Sequence, residues 1–143
     1  MENINKKFSI ILLNYNEKEK NIIKALESIV DQSYKNIEII IADDCSQNFN
    51  KIKNEKYLKL KRVDYKIIEN SSNIGTVKNI CNAINQSKGD YISFFASDDI
   101  LAPNILEKYV KTLKNSYFDM VVSQWLMCDD KLNFPHKFIP KYK

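Results

Sequence analysis

Two kinds of hydrophobic pattern alternate along the chain. Short apolar runs rich in isoleucine predict buried β-strands, and these runs lie at residues 8–14, 36–42, 65–68, 91–95 and 120–126. Between them, apolar residues recur every three or four positions, which predicts amphipathic helices at residues 17–32, 76–86 and 103–115 and a weaker, lysine-rich helix at 49–62. We expect the lysine-rich segment to present a solvated helix face.

The alternation of strands and helices predicts an α/β fold with a mostly parallel sheet and helices on both faces. Ligands of such sheets bind beyond the carboxyl ends of the strands, at a topological switch point. The predicted strand ends carry Asn14 to Asn16, Asp43 and Asp44, the loop 70–75, and Asp98 and Asp99. A site rich in carboxylates and amides is therefore expected at this edge of the sheet.

The predicted helix at residues 76–86 leads to two specific expectations, one for its buried face and one for its end. Val77, Ile80, Cys81 and Ile84 follow helical spacing, so we expect them to form its buried face. Gly89 follows this helix, and we expect it to end the element as a left-handed residue.

Length and composition place the chain among single-domain globular proteins. It has 143 residues, of which 44% are hydrophobic and 28% charged. We divide it into a polar leader at 1–7, a domain at 8–126 and a tail at 127–143. No apolar run approaches the roughly 20 residues of a membrane span, so we expect a cytoplasmic protein. The net charge of +4 does not call for nucleic acid, and it is compatible with an anionic ligand or with peripheral association with acidic lipid at the inner face of the membrane.

Glycine and cysteine exclude several classes of site. Only Gly75 and Gly89 are present, so neither a GxGxxG dinucleotide loop nor a Walker A loop can be built. The three cysteines, Cys45, Cys81 and Cys128, match no disulfide framework and no CxxC zinc pattern. We expect them to be reduced and to fill core or loop positions.

The acidic pairs suggest a divalent cation. Carboxylates gathered at one sheet edge repel each other unless a positive group lies between them, and carboxylate oxygens suit Mg²⁺ or Mn²⁺. Such ions take one or two protein carboxylates and complete their shell with phosphates and water. Asp98 and Asp99 therefore fit a site completed by a diphosphate, although a turn and helix cap ahead of Pro103 explains the pair equally well.

Five segments resemble, in order, the family 2 glycosyltransferases of the GT-A fold, which are nucleotide-diphospho-sugar transferases. The resemblance runs from residue 8 to about residue 115 and rests on the segments 8–17, 25–34, 38–46, 73–79 and 83–99. It implies a cleft that binds a nucleoside diphosphate sugar.

Family roles can be assigned residue by residue. The resemblance implies that Leu13, Asn14 and Tyr15 line the base pocket and that Asp44 accepts a uracil-type N–H, while Asp43 supports the strand end. Lys78 replaces an arginine that usually faces the nucleotide, and it offers a point charge instead of a planar fork.

Ser97-Asp98-Asp99 corresponds to the family's DxD motif, with one acid fewer than many members have. The resemblance places Asp98 near the ribose and Asp99 on a Mn²⁺ or Mg²⁺ ion. It implies metal-assisted transfer of a sugar, UDP-linked, to a glycan or lipid-linked acceptor with inversion, as in cell-surface polysaccharide biosynthesis.

The catalytic base is unknown, because the family places it in a downstream acceptor-binding part. Asp129 and Asp130 fit a turn better than a base, and His136 fits a surface position. We therefore expect a chain truncated in its acceptor part, with an uncovered sheet edge that leaves homo-oligomers open.

Two alternatives remain beside the enzyme. One is a catalytically silent module that binds or assembles around the nucleotide sugar. The other is a phosphoacceptor receiver domain, which would need its acidic pair after the first strand; that strand ends in Asn14.

Overall fold

The computed structural model describes residues 6–114, 119–123, 126–129 and 133. Four strands and four helices alternate along the described chain. In chain order they are β1 (Phe8–Asn14), α1 (Glu19–Val30), β2 (Ile37–Asp43), α2 (Lys51–Lys61), β3 (Asp64–Glu69), α3 (Thr76–Asn85), β4 (Tyr91–Ala96) and α4 (Ile105–Lys114).

The strands form one parallel sheet in the order β3-β2-β1-β4. Its two inner strands, β1 and β2, are almost completely buried, which is why their sequences are continuous apolar runs. The register brings the carboxyl ends of β1 and β2 level, with Asn14 opposite Asp43. The polar residues that follow these strands are therefore brought to one edge.

The order of the strands also decides which face each helix covers. The chain runs from β1 through β2 to β3, then returns across the sheet to pair β4 with the other side of β1. Because parallel crossovers share one hand, a connection that reverses direction lies on the opposite face. Accordingly, α1, α2 and α4 pack on one face and α3 on the other. The topological switch point lies between β1 and β4.

The structure confirms the predicted α/β architecture. It also confirms the first four predicted strands, whose ends agree with the predicted ends to within one or two residues. The fifth predicted strand, at 120–126, is wrong where the structure describes it: residues 120–123 and 126 form no strand. Met120, Val122 and Leu126 are exposed there, and an apolar run does not make a strand without a neighbour to pair with. Pro103 lies in a turn ahead of α4.

The predicted buried face of α3 is only partly correct. Val77 is 73% exposed and Cys81 is exposed, whereas Asn79 and Ala83 are buried. The Asn79 amide donates to the main-chain oxygen of Ala42 at 2.9 Å, and this bond fixes the rotation of the helix against β2. Cys45 and Cys128 are likewise free and exposed, so the cysteines are not core residues.

Gly89 serves a different purpose from the expected helix end. The helix ends at Asn85, with Gln86 as its cap, and Gly89 has no positive φ. A Cβ at Gly89 would instead lie 2.5 Å from both the main-chain nitrogen and Oγ of Ser9. Glycine is present because the main chain approaches β1 closely, and its N–H donates to the Ser9 hydroxyl at 2.8 Å.

No helix in the described ranges is both long and apolar enough to span a bilayer.

Candidate functional site

The end of β1 is fixed by a network of short polar side chains. Asn14 is 3% exposed, and its amide donates to Asp43 Oδ1 at 2.6 Å while its oxygen accepts from the Ser97 hydroxyl at 2.9 Å. The Ser46 main-chain N–H donates to Asp43 Oδ2 at 2.9 Å. These contacts connect the ends of β1, β2 and β4. Both carboxylate oxygens of Asp43 accept hydrogen bonds within this network, so its side chain stabilises the end of β2.

Asp44 anchors the loop that leads into α3. Its Oδ1 accepts from the Asn70 amide at 3.0 Å and from the Ile74 main-chain N–H at 2.9 Å, and its Oδ2 accepts from the Gly75 N–H at 2.9 Å. A carboxylate has about four acceptor positions, so one position on Oδ2 is left for a ligand. Asn79 extends the network, since its oxygen also accepts from the Asn70 amide at 2.9 Å.

These hydrogen bonds set the charge state of Asp44. Its burial alone would raise the pKa of the carboxyl group, but the bonds from Ile74, Asn70 and Gly75 outweigh burial and lower the pKa below 3.8, its ordinary value. Asp44 therefore remains an anion and a hydrogen-bond acceptor throughout the physiological pH range.

A cleft of about 310 Å³ opens at this edge, at the switch point between β1 and β4. Five of the residues predicted to bind nucleotide lie on its wall: Leu13, Asn14, Tyr15, Asp44 and Asp98. Tyr15 is 56% exposed, so its side chain is accessible for stacking against a planar ligand. The structure thus brings together side chains that are up to 85 positions apart in sequence, as Leu13 and Asp98 show.

Two predicted site residues do not line the cleft. Lys78 is exposed on the first turn of α3, beside Asn79, which does line it. Asp99 follows Asp98, and its Oδ2 accepts from the Ala96 main-chain N–H at 3.3 Å in a tight turn. Both residues therefore lie next to the cleft wall, and their binding roles stay predictions.

The acidic residues at the cleft fit a cation that a ligand completes. Among the described residues, no group of three or more His, Cys, Asp or Glu side chains is placed to hold a metal ion. Asp98 and Asp99 are exposed at the rim, and one oxygen of Asp99 is bound to Ala96. One or two carboxylates with substrate phosphates and water are a usual set for Mg²⁺, so this pair fits such an ion.

The cleft is also lined by residues for which the sequence predicted no binding role. Asn73, Gly75, Thr76 and Asn79 form the α3 side of the cleft, and Glu17 and Ser97 complete it. Gly75 was detectable in the sequence, because a lone glycine ahead of a helix marks an unusual backbone conformation. Of the late candidates for a base, Asp129 accepts hydrogen bonds from the main-chain N–H and the side-chain amide of Asn133. Asp130 and His136 lie outside the described residues.

Gly75 has φ of +84° and ψ of 155°, a backbone conformation that is essentially restricted to glycine. No atom lies within 4 Å of a Cβ built there, so replacing Gly75 by alanine introduces strain without a clash. We expect Gly75→Ala to lower the free energy of unfolding by about 1–3 kcal/mol and to weaken the anchoring of the loop by Asp44. Urea unfolding measures the first effect. Thr76→Ala, at an exposed neighbour with ordinary helical backbone, is the control, and equal stability of the two variants would contradict the account.

Comparisons with known proteins agree with this geometry. The family model described as glycosyl transferase family 2 matches residues 9–142. An uncharacterized glycosyltransferase of Methanocaldococcus jannaschii is 34% identical over 139 residues, which are 94% of this chain and 47% of that protein. The chain therefore spans about half the length of this curated relative.

Solved structures show the same fold. S. aureus TarS 1-349 in complex with UDP superposes with a TM-score of 0.68 at 28% identity, over 76% of this chain and 32% of that one. The same protein in complex with UDP-GlcNAc gives 0.68 at 27%, over 76% and 31%. A Pyrobaculum calidifontis mannosyltransferase in complex with GDP-Man and Mn²⁺ shares the fold, with a TM-score of 0.64 at 17% identity over 69% and 29%.

With a family model that covers almost its whole length and a relative that is 34% identical, the chain belongs to glycosyl transferase family 2.

Proposed function

We propose that this chain is the donor-binding part of a glycosyltransferase that moves a sugar from UDP to an acceptor hydroxyl. The observation that carries the proposal is the cleft at the switch point, which is lined both by Asp44, with one free acceptor position, and by Asp98. A nucleoside diphosphate has a hydrogen-bonding base at one end and an anionic diphosphate at the other. The cleft offers a partner for each.

The choice of base follows from the hydrogen bonds of Asp44. Three of its acceptor positions are filled by Asn70, Ile74 and Gly75, which leaves one for a ligand. The Watson–Crick edge of uracil carries one N–H donor, whereas that of guanine carries an N–H and an amino group. One free acceptor suits uracil, with Tyr15 as the stacking surface. The UDP complex of TarS, at 28% identity, supports the same choice.

The diphosphate end is assigned to Asp98 and Asp99. These carboxylates would hold Mn²⁺ or Mg²⁺ together with the diphosphate oxygens. The bound ion would supply Lewis-acid stabilisation of the charge on the departing UDP. Because Asp98 and Asp99 are exposed at the rim of the cleft, a diphosphate that they helped to hold would lie at this rim.

The transfer requires one group beyond these. In an inverting displacement the acceptor hydroxyl attacks the anomeric carbon while the bond to the diphosphate breaks, and a base takes the hydroxyl proton. We place that base and the binding of a glycan or lipid-linked acceptor outside the residues of the cleft. The proposed role of this chain is to bind and orient the donor.

Calorimetric titration of UDP with and without Mn²⁺ tests the proposal. Asp98→Asn and Asp99→Asn should each lower the Mn²⁺-dependent affinity for UDP about tenfold, because a charged contact to the ion is worth roughly 1.4 kcal/mol or more. Asp119→Asn, at an exposed carboxylate away from the cleft, should bind as the parent does. UDP affinity that is unchanged in both the Asp98→Asn and the Asp99→Asn variant would show that these carboxylates do not hold a metal ion. Because the base is placed outside the cleft, UDP-sugars should bind to this chain without hydrolysis or transfer, and robust turnover by the 143-residue chain would contradict that placement.

A further inference from the structure

The outward face of α2 combines two exposed aliphatic side chains with lysines. Ile52 is 80% exposed and Leu60 is 78% exposed. They lie eight positions apart in sequence, with Lys56 midway between them on the same side of the helix. Asn54 and Leu58 form the opposite, buried side. Lys53 and Lys59 flank this outward row, and we call the five residues Ile52, Lys53, Lys56, Lys59 and Leu60 the outer α2 face.

The charge of this face is strongly positive. The helix carries five lysines and one acidic residue, Glu55, and Arg62 follows it. Lys53 and Lys59 are exposed and form ion pairs with the half-buried Glu19 and Glu55, and ion pairs of exposed lysines contribute little. Lys56 lies at the centre of the face and has no ion-pair partner among the described residues. The exposed ammonium groups of Lys53, Lys56 and Lys59 are therefore accessible to an external anion.

A basic cleft continues the surface at the end of the helix. It has a volume of about 440 Å³ and lies at the amino ends of β2 and β3. Four cationic residues and one carboxylate line it: Lys7, Lys35, Lys61, Arg62 and Asp64. Lys7 is paired with Asp64 at 2.6 Å, so the other three charges are not offset within the cleft. The positive surface thus extends from the outer α2 face to the amino ends of β2 and β3. The donor cleft lies at the other edge of the sheet, at the carboxyl ends of the strands.

We propose that the outer α2 face and the basic cleft dock the protein on an anionic lipid bilayer. Lysines near an anionic bilayer are attracted to its headgroup phosphates. The exposed aliphatic side chains of Ile52 and Leu60 lie among these lysines and would enter the acyl boundary. The arrangement suits lipid better than nucleic acid, because the exposed large side chains are aliphatic and offer no ring for a base to stack on. A second copy of the chain would meet the same positive charge, which opposes self-association through this face.

Docking in this way leaves the donor cleft accessible. The outer α2 face is on the side of the helical layer that points away from the sheet, whereas the donor cleft opens at the carboxyl ends of β1 and β4. The bilayer would therefore lie beside the cleft without covering it.

Sedimentation with lipid vesicles tests the proposal on the 143-residue chain. We expect binding to vesicles of phosphatidylcholine with phosphatidylglycerol, weak binding to phosphatidylcholine alone, and loss of binding as salt shortens the Debye length. Lys56→Gln and Lys59→Gln should each weaken partitioning about fivefold. Ile52→Gln with Leu60→Gln should weaken it at least tenfold.

Matched controls lie elsewhere on the surface. Val77→Gln removes an aliphatic side chain that is 73% exposed on α3, and Lys108→Gln removes an exposed lysine on α4. Both should bind anionic vesicles as the parent does, and all variants should keep the parent's melting temperature. Failure to bind anionic vesicles, or equal losses in the controls, would overturn the proposal. A dimer that Leu60→Gln dissociates, without vesicle binding, would identify a second copy as the occupant and overturn it too.

Discussion

Replacing Gly89 with alanine is expected to lower the free energy of unfolding by about 3 kcal/mol. The added Cβ would lie 2.5 Å from Ser9 N and Oγ and 2.9 Å from the main-chain oxygen of Lys7. Two of these atoms are main chain at the start of a central strand, so they cannot move away without disturbing the sheet. The shift would also lengthen the bond from Gly89 N–H to Ser9 Oγ.

Urea unfolding measures this effect, and Lys88→Ala is its matched control. The Lys88 side chain is exposed, and the bond that Lys88 makes to Glu38, at 2.6 Å, comes from its main chain and survives the substitution. We expect the control to unfold at the parent's urea midpoint. A loss below about 1 kcal/mol in Gly89→Ala would show that the main chain can separate at this point and that the close approach is not required.

Replacing Asp44 with asparagine is expected to destabilise the chain by about 2 kcal/mol at pH 7. Hydrogen bonds to a charged acceptor contribute about 1.5–3 kcal/mol each, and three donors converge on this carboxylate, from Asn70, Ile74 and Gly75. An amide keeps one acceptor oxygen and turns its NH₂ group towards a donor. The same substitution should weaken UDP more than it weakens pyrophosphate, because Asp44 is assigned to the base.

The effect of Asp44 on stability should depend on pH in a defined direction. Because folding lowers the pKa of Asp44 below 3.8, the folded protein binds fewer protons than the unfolded chain in the range between the two pKa values. The stabilisation by Asp44 is therefore complete above about pH 4 and is lost as pH falls through the lowered pKa.

Urea unfolding of the parent and Asp44→Asn between pH 7 and pH 2 checks this direction. The difference between their free energies of unfolding should shrink below about pH 4. Asp119→Asn, at an exposed carboxylate, should give a small difference that does not change over the same range. A parent–Asp44→Asn difference that is independent of pH would contradict the anchoring role of the carboxylate.

The sheet could be predicted from sequence because its inner strands are buried on both faces. β1 and β2 are continuous apolar runs, and the structure gives them almost the predicted bounds. The face of α3 could not be predicted, because the side chain that turns it towards the sheet is Asn79, which bonds to Ala42. Apolar periodicity carries no information about such a bond, and Val77 is exposed as a result.

The site could be predicted only as far as its position in the fold. Strand ends followed by Asn14, Asp44 and Asp98 indicated one sheet edge, and these three residues do lie on the cleft. The contacts of Asp44 with Ile74 and Gly75 could not be predicted, because they depend on how the loop 70–75 folds back over β2. The role of Gly89 was missed for the same reason, since its constraint comes from Ser9, 80 positions away.

We expect the cleft to bind a uridine diphosphate with the help of a divalent cation. Thermal denaturation with UDP, GDP and dTDP, each with and without Mn²⁺, tests it most directly. A ligand at 100 times its Kd adds about 2.7 kcal/mol, which is a shift of about 5 to 10 °C for a domain of this size. We predict a shift of that order with UDP and Mn²⁺, smaller without Mn²⁺ and smaller with GDP. The absence of a shift with all three nucleotides in the presence of Mn²⁺ would contradict the account.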